Sequence, residues 1–373
     1  MPPVVIDLQQ ADDWRDVVHR AVQTLVEGRL VAFPTETVYG LAASALDASA
    51  VDRLVEAKGR DDQRPLTLAI RSAAEARDYC PDLSPLAARL ARRCWPGPIT
   101  LVVEGTHPES LVGQLPPAVR QRVVPHQTVG LRVPGHPAIL DVLRMLAGPL
   151  VLSSANLSGQ PDAVSARDVV DAVGEQVDMV LDDGPSRFGQ PSTVVRVTDG
   201  KIELLREGVV PEKTVRRLSS WLALFVCTGN TCRSPMAEAI ARDLLARRLK
   251  CQRDELEDRG VLVMSAGIAA MMGGVATPEA MEAVREYDLD LRDHETQPLT
   301  ETLVRHADLI LTMTRSHREA IVAQWPDAAE RTTQLCDDGR DVIDPIGGPL
   351  QQYRDCARQI HAALESRFSD LTL

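Results

Sequence analysis

A cysteine, five intervening residues and then Arg-Ser make the most specific chemistry in the chain: Leu224-Phe-Val-Cys227-Thr-Gly-Asn-Thr-Cys-Arg233-Ser234. The apolar run Ala223–Val226 predicts a short strand. Pro235-Met-Ala-Glu-Ala then opens a helix, with proline in a first turn that needs no backbone N–H. Such a strand–loop–helix turn aims backbone N–H groups and a positive helix end at one point, a ready phosphate site. Cys227 at the base of that nest is expected as a thiolate, because the field that binds phosphate also lowers a thiol pKa. Arg233 supplies a planar fork for two phosphate oxygens. Thr228, Gly229, Asn230, Thr231 and Cys232 complete the loop, and the Gly229-Asn230 pair is expected to let its backbone curl. These residues read as a cysteine-dependent phosphatase loop. A bare Cys-x5-Arg is weak by itself; the preceding strand, the Gly-Asn pair and a downstream Asp344-Pro345 narrow it.

Taken together, residues 221–373 resemble the low-molecular-weight protein phosphatases. The resemblance implies that Cys227 attacks phosphorus to form a cysteinyl-phosphate, that Arg233 and the loop amides hold the equatorial oxygens, and that Asp344 acts as acid and then base. It also implies that Ser234 bonds the thiolate, that Asn230 holds the loop shape and that no metal is used. Two departures bear on substrate. Thr231 stands where tyrosine-directed members carry a bulky aliphatic residue, and Ile346-Gly347-Gly348 stands where they carry aromatics. A phosphotyrosine ring wants an aromatic-walled slot, so the loop looks closer to the protein arginine phosphatase branch, with phosphotyrosine as the alternative. An arsenate-reductase-like reading is the third option, but its relay cysteines are not evident. Cys251, Cys336 and Cys356 are isolated and read as structural. Cys232 is either a small residue in a tight turn or a resolving thiol for Cys227.

The first half holds polar clusters at predicted strand ends. They are Pro34-Thr-Glu-Thr-Val-Tyr-Gly-Leu41, Lys58-Gly-Arg60, Trp95-Pro-Gly-Pro-Ile-Thr100, Thr128-Val-Gly-Leu-Arg-Val-Pro134, Ser153-Ser-Ala-Asn-Leu-Ser-Gly159, Pro191-Ser-Thr-Val194 and Leu205-Arg-Glu-Gly208. Each alone has a plain explanation as turn, strand or helix cap. In this order they resemble the threonylcarbamoyl-AMP synthase (YrdC-like) family over residues 12–210, with its Lys-x-Arg and Ser-x-Asn tetrad as Lys58, Arg60, Ser154 and Asn156. The resemblance implies synthesis of threonylcarbamoyl-adenylate from L-threonine, bicarbonate and ATP, with Mg²⁺ as bridging ion and no confident protein ligand to it. Lys58, Arg60 and Arg206 would face the ATP phosphates, with Thr128, Ser154 and Asn156 at the nucleotide. Arg132, Thr35 and Ser192 would hold threonine. Some members carry a histidine shortly after Pro-Leu; here that position is Ala69. Transfer to tRNA would need separate partner proteins, since nothing here resembles that transferase. The alternatives are a non-catalytic RNA- or nucleotide-binding module and a hydrogenase-maturation carbamoyl-transfer domain, whose zinc-type cysteine pairs are missing.

The elements that must place these groups fall into two sets. At 373 residues two domains are expected. The polar segment Leu205–Ser220 puts the boundary near 215, giving domains 1–215 and 216–373. After it, strands and helices alternate: Ala223–Val226, Met236–Leu249, Val261–Ser265, Pro278–Tyr287, Ala307–Met313, Ser316–Gln324, Thr332–Leu335 and Leu350–Phe368. Continuous apolar strands separated by helices predict an α/β fold with a doubly wound, four-stranded parallel sheet, whose sites lie at the strands' carboxyl ends. The first half alternates less regularly and ends in a hairpin over Thr198-Asp-Gly, predicting one α/β domain around a twisted mixed sheet.

Composition excludes further classes. A net charge of −12 and 3% aromatic residues argue against a large RNA-binding face or a base-stacking platform, and hence against tight direct tRNA binding. No segment reaches membrane-spanning length, and Met-Pro-Pro-Val-Val-Ile-Asp is no signal peptide. Seven cysteines without paired spacing fit a reducing cytoplasm.

Overall fold

Short runs of apolar residues bounded by caps and turns build two sheets. The computed structural model describes residues 2–59, 65–369 and 371. It divides into two compact units, Met1–Val215 and Arg216–Leu373.

The first unit holds a ten-stranded mixed sheet. Its strands are β1 (Val4–Asp7), β2 (Val31–Phe33), β3 (Gly40–Ser44), β4 (Thr67–Ala69), β5 (Ile99–Glu104), β6 (Thr128–Arg132), β7 (Leu150–Ser154), β8 (Met179–Asp182), β9 (Thr193–Thr198) and β10 (Lys201–Arg206). Their order is β1-β8-β2-β3-β7-β4-β6-β5-β9-β10. Parallel and antiparallel pairs are interspersed: β4 runs with β6, and β7 runs against both β3 and β4. This mixture places some strand starts beside other strands' ends. Arg206 at the end of β10 pairs with Val194 near the start of β9.

Helices cover this sheet through apolar faces. Helix Trp14–Val26 starts on Asp13, whose carboxylate accepts from Arg15 N and Asp16 N, and stops before Gly28, which has φ +74°. Its Val17, Val18, Ala21 and Leu25 join Val31, Phe33 and Ala42 of the sheet and Ala138, Ile139 and Val142 of helix Pro137–Met145 in one core. Ala69 packs into that same core.

The second unit holds β11 (Trp221–Cys227), β12 (Val261–Gly267), β13 (Leu309–Thr312) and β14 (Thr332–Gln334). They form a wholly parallel sheet in the order β12-β11-β13-β14, as the continuous apolar strands predict. Alternation along β11 sorts its side chains to two faces. Ala223, Phe225 and Cys227 lie in one core with Met236, Ile240, Tyr353 and Ile360. Leu222, Leu224 and Val226 lie in another with Val304, Ile310 and Ile321. Phe225 is fully buried, so Phe225→Ala would cost about 3–5 kcal/mol. The same alternation aims Cys227 at the side covered by helices Arg233–Leu249 and Leu350–Ser369.

Candidate active sites

In the second unit the strand ends at Cys227 and the next helix begins at Arg233, three residues before the predicted Met236. The helix's N-cap, Cys232, makes no side-chain capping bond, so first-turn N–H groups remain available to an anion. The turn is made by Asn230, at φ +56°, and not by Gly229, whose φ is not positive. Asparagine tolerates the left-handed region, and its side chain explains why it is preferred here. Asn230 Nδ2 donates to Ser234 Oγ and Ser265 Oγ, each at 2.9 Å, while its Oδ1 accepts from Gln297 N at 2.9 Å. His294 Nε2 lies 2.9 Å from its carbonyl. Gly267 completes the fit: a Cβ there would meet Thr228 O at 2.6 Å and Asn230 N at 2.9 Å.

Cys227 Sγ is enclosed by this loop. It accepts from Asn230 N at 3.2 Å and lies 3.0 Å from Ser234 Oγ. Asn230 Nδ2 donates to the same Oγ, which leaves the Ser234 proton to the sulfur at 3.0 Å or to the more distant Ala266 carbonyl at 3.5 Å. Arg233 is 5% exposed and donates from Nη2 to Asp344 Oδ2 at 2.5 Å, and at 3.5 Å to Thr228 Oγ1. Asp344 is half-exposed, and its Oδ1 accepts from Ile346 N in an Asx turn. The strand end, the helix start and the distant Asp-Pro turn therefore bring Cys227, Arg233, Ser234 and Asp344 together.

The other thiols differ. Cys232 Sγ turns into the core, 3.5 Å from Thr277 Oγ1 and 3.9 Å from Tyr353 Oη, and none of the seven cysteines forms a disulfide. Burial pushes the Cys356 thiol up to about 12 and raises that of Cys336, which suits packing and not reaction. Thr231 Oγ1 sits 3.6 Å from Cys232 Sγ. The sequence reading missed Ser265, His294, Gln297 and His317, which support the loop from three other segments. Only the rule that sites lie at the carboxyl ends of parallel strands points toward them.

In the first unit the described candidates line one cavity of about 480 Å³: Thr35, Lys58, Thr128, Arg132, Ser154, Asn156, Ser192 and Arg206. Arg60 lies outside the described residues. Lys58 ends helix Ala48–Ala57 and is buried. Its Nζ donates to Ser154 O at 2.5 Å and Asn156 Oδ1 at 3.0 Å, and also reaches Asn156 O. Arg206 bridges back to Ser192, with Nη2 2.8 Å from the carbonyl and 3.1 Å from Oγ, and burial lowers its pKa. Ser192 Oγ is also 3.1 Å from Thr100 Oγ1. Thr35 Oγ1 donates to Val38 O at 2.6 Å and touches Thr37 Oγ1 at 2.9 Å. Arg132 is held by a group the sequence reading passed over: Nη2 donates to Glu36 Oε1 at 2.7 Å and to Thr37 Oγ1 at 2.9 Å. Arg196 and Asp162 also line the cavity, the latter as the single acidic side chain among the described lining residues.

A cation-lined cavity on a mixed sheet and a cysteine–arginine loop on a parallel one define two α/β enzyme domains on one chain. Residues 23–208 match the Sua5/YciO/YrdC family, described as telomere recombination, and residues 223–372 match the low molecular weight phosphotyrosine protein phosphatases. The threonylcarbamoyl-AMP synthase of Mus musculus is 34% identical over 235 residues, 61% of this chain and 80% of the mouse protein. That of Pyrococcus abyssi is 34% identical over 239 residues, 62% of this chain and 66% of its own length. A solved structure of P. abyssi Sua5 superposes with a TM-score of 0.52 at 27% identity, covering 70% of this chain and 91% of that one. The chain belongs to the threonylcarbamoyl-AMP synthase family and carries in addition a low-molecular-weight phosphatase domain. Among the described residues no helix is long and apolar enough to cross a membrane.

Proposed function

We propose that the chain is bifunctional, with domains 1–215 and 216–373 acting separately. The first makes threonylcarbamoyl-AMP from L-threonine, bicarbonate and ATP, which other proteins would transfer to tRNA. The observation that supports this is the convergence of Lys58, Arg132 and Arg206 on one cavity. N-carboxythreonine and ATP are both anionic and repel each other, so bringing a carboxylate oxygen to the α-phosphorus requires fixed cations. Lys58 and Arg206 take the phosphates and, with Ser154 and Asn156, shape the nucleotide side. Arg132, kept in place by Glu36, takes the threonine carboxylate, with Thr35 and Ser192 nearby. The new O–P bond forms as the bond to pyrophosphate breaks. Among the described residues no cluster of His, Cys, Asp or Glu could hold a metal. A Mg²⁺ would come in with ATP, since this ion keeps its waters and takes one or two carboxylates; Asp162 would face the ion, whose positive charge would offset that of the phosphates. Incubating the full chain with ATP, bicarbonate and labelled threonine tests the assignment. Pyrophosphate release no greater than in a threonine-free control would reject it.

The second domain removes phosphate from phosphoproteins. Cys227 attacks phosphorus, Arg233 and the loop hold the oxygens, and Asp344 protonates the leaving atom and later activates water. The single supporting observation is Cys227 Sγ held between Asn230 N and Ser234 Oγ on the loop that carries Arg233. Phosphoarginine is the favoured substrate side chain. The segment after Asp344-Pro345 offers exposed Ile346 and two glycines, so these three residues present no aromatic wall to a phosphotyrosine ring. Turnover of phosphoarginine against phosphotyrosine peptides decides it; a clear preference for phosphotyrosine refutes the choice.

A further inference from the structure

Beside the phosphatase loop lies a histidine to which the proposed mechanism gives no part. His317 is 7% exposed in the first turn of helix Arg315–Gln324, where Thr314 Oγ1 caps its backbone N–H at 3.2 Å. Its Nε2 lies 2.9 Å from Thr228 Oγ1, the residue after Cys227. Its Nδ1 is buried and has no hydrogen-bond partner among the described residues. The charged groups facing it are Arg233, Asp344 and Asp341, and burial together with Arg233 lowers its pKa to about 4. The ring is therefore neutral near pH 7 and carries one proton on one of two nitrogens.

The orphaned nitrogen decides which. If Thr228 donated to Nε2, the proton would sit on Nδ1 as a buried N–H without an acceptor. If Nε2–H donates to Thr228, only a lone pair is left unpaired, and an orphaned acceptor is the more tolerated defect. Thr228 Oγ1 also accepts from Arg233 Nη2 at 3.5 Å. With both lone pairs engaged, its own proton must point elsewhere; Thr228 is an exposed residue, and its hydroxyl lies 3.5 Å from the guanidinium that is assigned the phosphoryl oxygens. We propose that Thr228 is a further hydroxyl donor to the substrate's phosphoryl group and that His317 is the positioning residue that orients it. This rests on the phosphatase reading above.

A merely structural tie between loop and helix would hold in either tautomer, so the tautomer is the first readout. In ¹⁵N-histidine-labelled full-length protein at neutral pH, the His317 resonances should show a protonated Nε2 and a lone-pair Nδ1. The second readout is binding of inorganic phosphate, which needs no turnover. Thr228→Val and His317→Leu should each weaken phosphate by about tenfold, the size of one hydrogen bond to a charged oxygen. The double variant should lose no more than either alone, because both remove the same donor. Thr228→Ser, which keeps the hydroxyl, and His317→Gln, which keeps an N–H near Nε2, should recover most of the affinity. A proton on Nδ1, unchanged phosphate binding in Thr228→Val, or additive losses in the double variant would each overturn the assignment. Wild-type protein that binds phosphate with the expected variant pattern yet turns over no phosphorylated peptide would sink the phosphatase reading and leave the donor pair standing.

Discussion

The two domains assemble their chemistry in opposite ways. In the phosphatase domain nearly every candidate group lies in the loop Cys227–Ser234, and Asp344 alone is brought in from afar. In the synthase domain the candidates run from Thr35 to Arg206 and meet only because strand starts and ends alternate across a mixed sheet. A contiguous loop gives a nucleophile whose loss nothing else in the site replaces. A distributed cavity shares its positive charge among several cations, so removing one is expected to weaken and not to abolish.

The largest expected effect sharpens this contrast. On the proposed mechanism, Cys227→Ser removes the attacking thiolate and should lower phosphatase kcat by at least about a thousandfold. Threonine-dependent pyrophosphate release from the same protein should stay at the wild-type rate. Loss of both activities in that variant would break the picture of two independent sites.

Lys58→Ala is the corresponding removal in the synthase domain, and it is expected to act through structure as well as binding. The buried Nζ serves Ser154 O, Asn156 O and Asn156 Oδ1. Its deletion leaves those acceptors unpaired at a cost of about 3 kcal/mol. Thermal unfolding of the full chain should show the synthase transition lowered with the phosphatase transition unmoved. Arg206→Ala, which leaves Lys58 and Arg132 in the cavity, should give a smaller loss of ATP affinity in calorimetry. Equal and total losses for the two variants would mean that the cavity does not share its charge.

Asn230 separates backbone shape from hydrogen bonding. Asn230→Gly keeps the left-handed φ but gives up the bonds to Ser234, Ser265 and Gln297. It should cost about 2 kcal/mol and lower phosphatase kcat, because Ser234 is then free to turn from the sulfur. Asn230→Ala adds the strain of a positive φ, a further ~1 kcal/mol. Urea midpoints measured for the two variants order these contributions; an Asn230→Ala no less stable than Asn230→Gly would show that the lost side-chain bonds, and not the left-handed φ, carry the whole cost.

The contrast also explains what could be read from the residues beforehand. The phosphatase loop and its parallel sheet were legible because their determinants are local: an apolar run, a loop of fixed length and a helix start. Even so, the Gly229-Asn230 pair does not show in sequence which of the two turns the chain, because Asn230's three anchors come from elsewhere in the fold. In the synthase domain β3, Gly-Leu-Ala-Ala-Ser, has no β-branched residue to mark it and is a strand because β2 and β7 pair with it on both sides. β1 and β8 were passed over as well, and they pair with one another. Glu36 was invisible as a partner of Arg132 because the two are distant in sequence and meet through tertiary structure alone.

The smallest effect concerns acid stability, and the phosphatase domain is where it should appear. His317 has its pKa lowered from the ordinary 6.5 to about 4 by burial and by Arg233. Between those values the unfolded chain takes up a proton that the folded domain refuses. The histidine's contribution is therefore full above pH 6.5 and is lost as the pH falls toward 4, amounting to about 3 kcal/mol. The opening free energy read from hydrogen exchange at the β11 amides, with the intrinsic base-catalysed rate divided out at each pH, should fall across that window in the wild type. In His317→Gln, which cannot titrate, the fall should be shallower by that amount, while the opening free energy at the β6 amides of the synthase domain should be the same in both proteins. An identical pH dependence at β11 in both would mean that the imidazole takes up its proton in the folded domain as readily as in the unfolded chain.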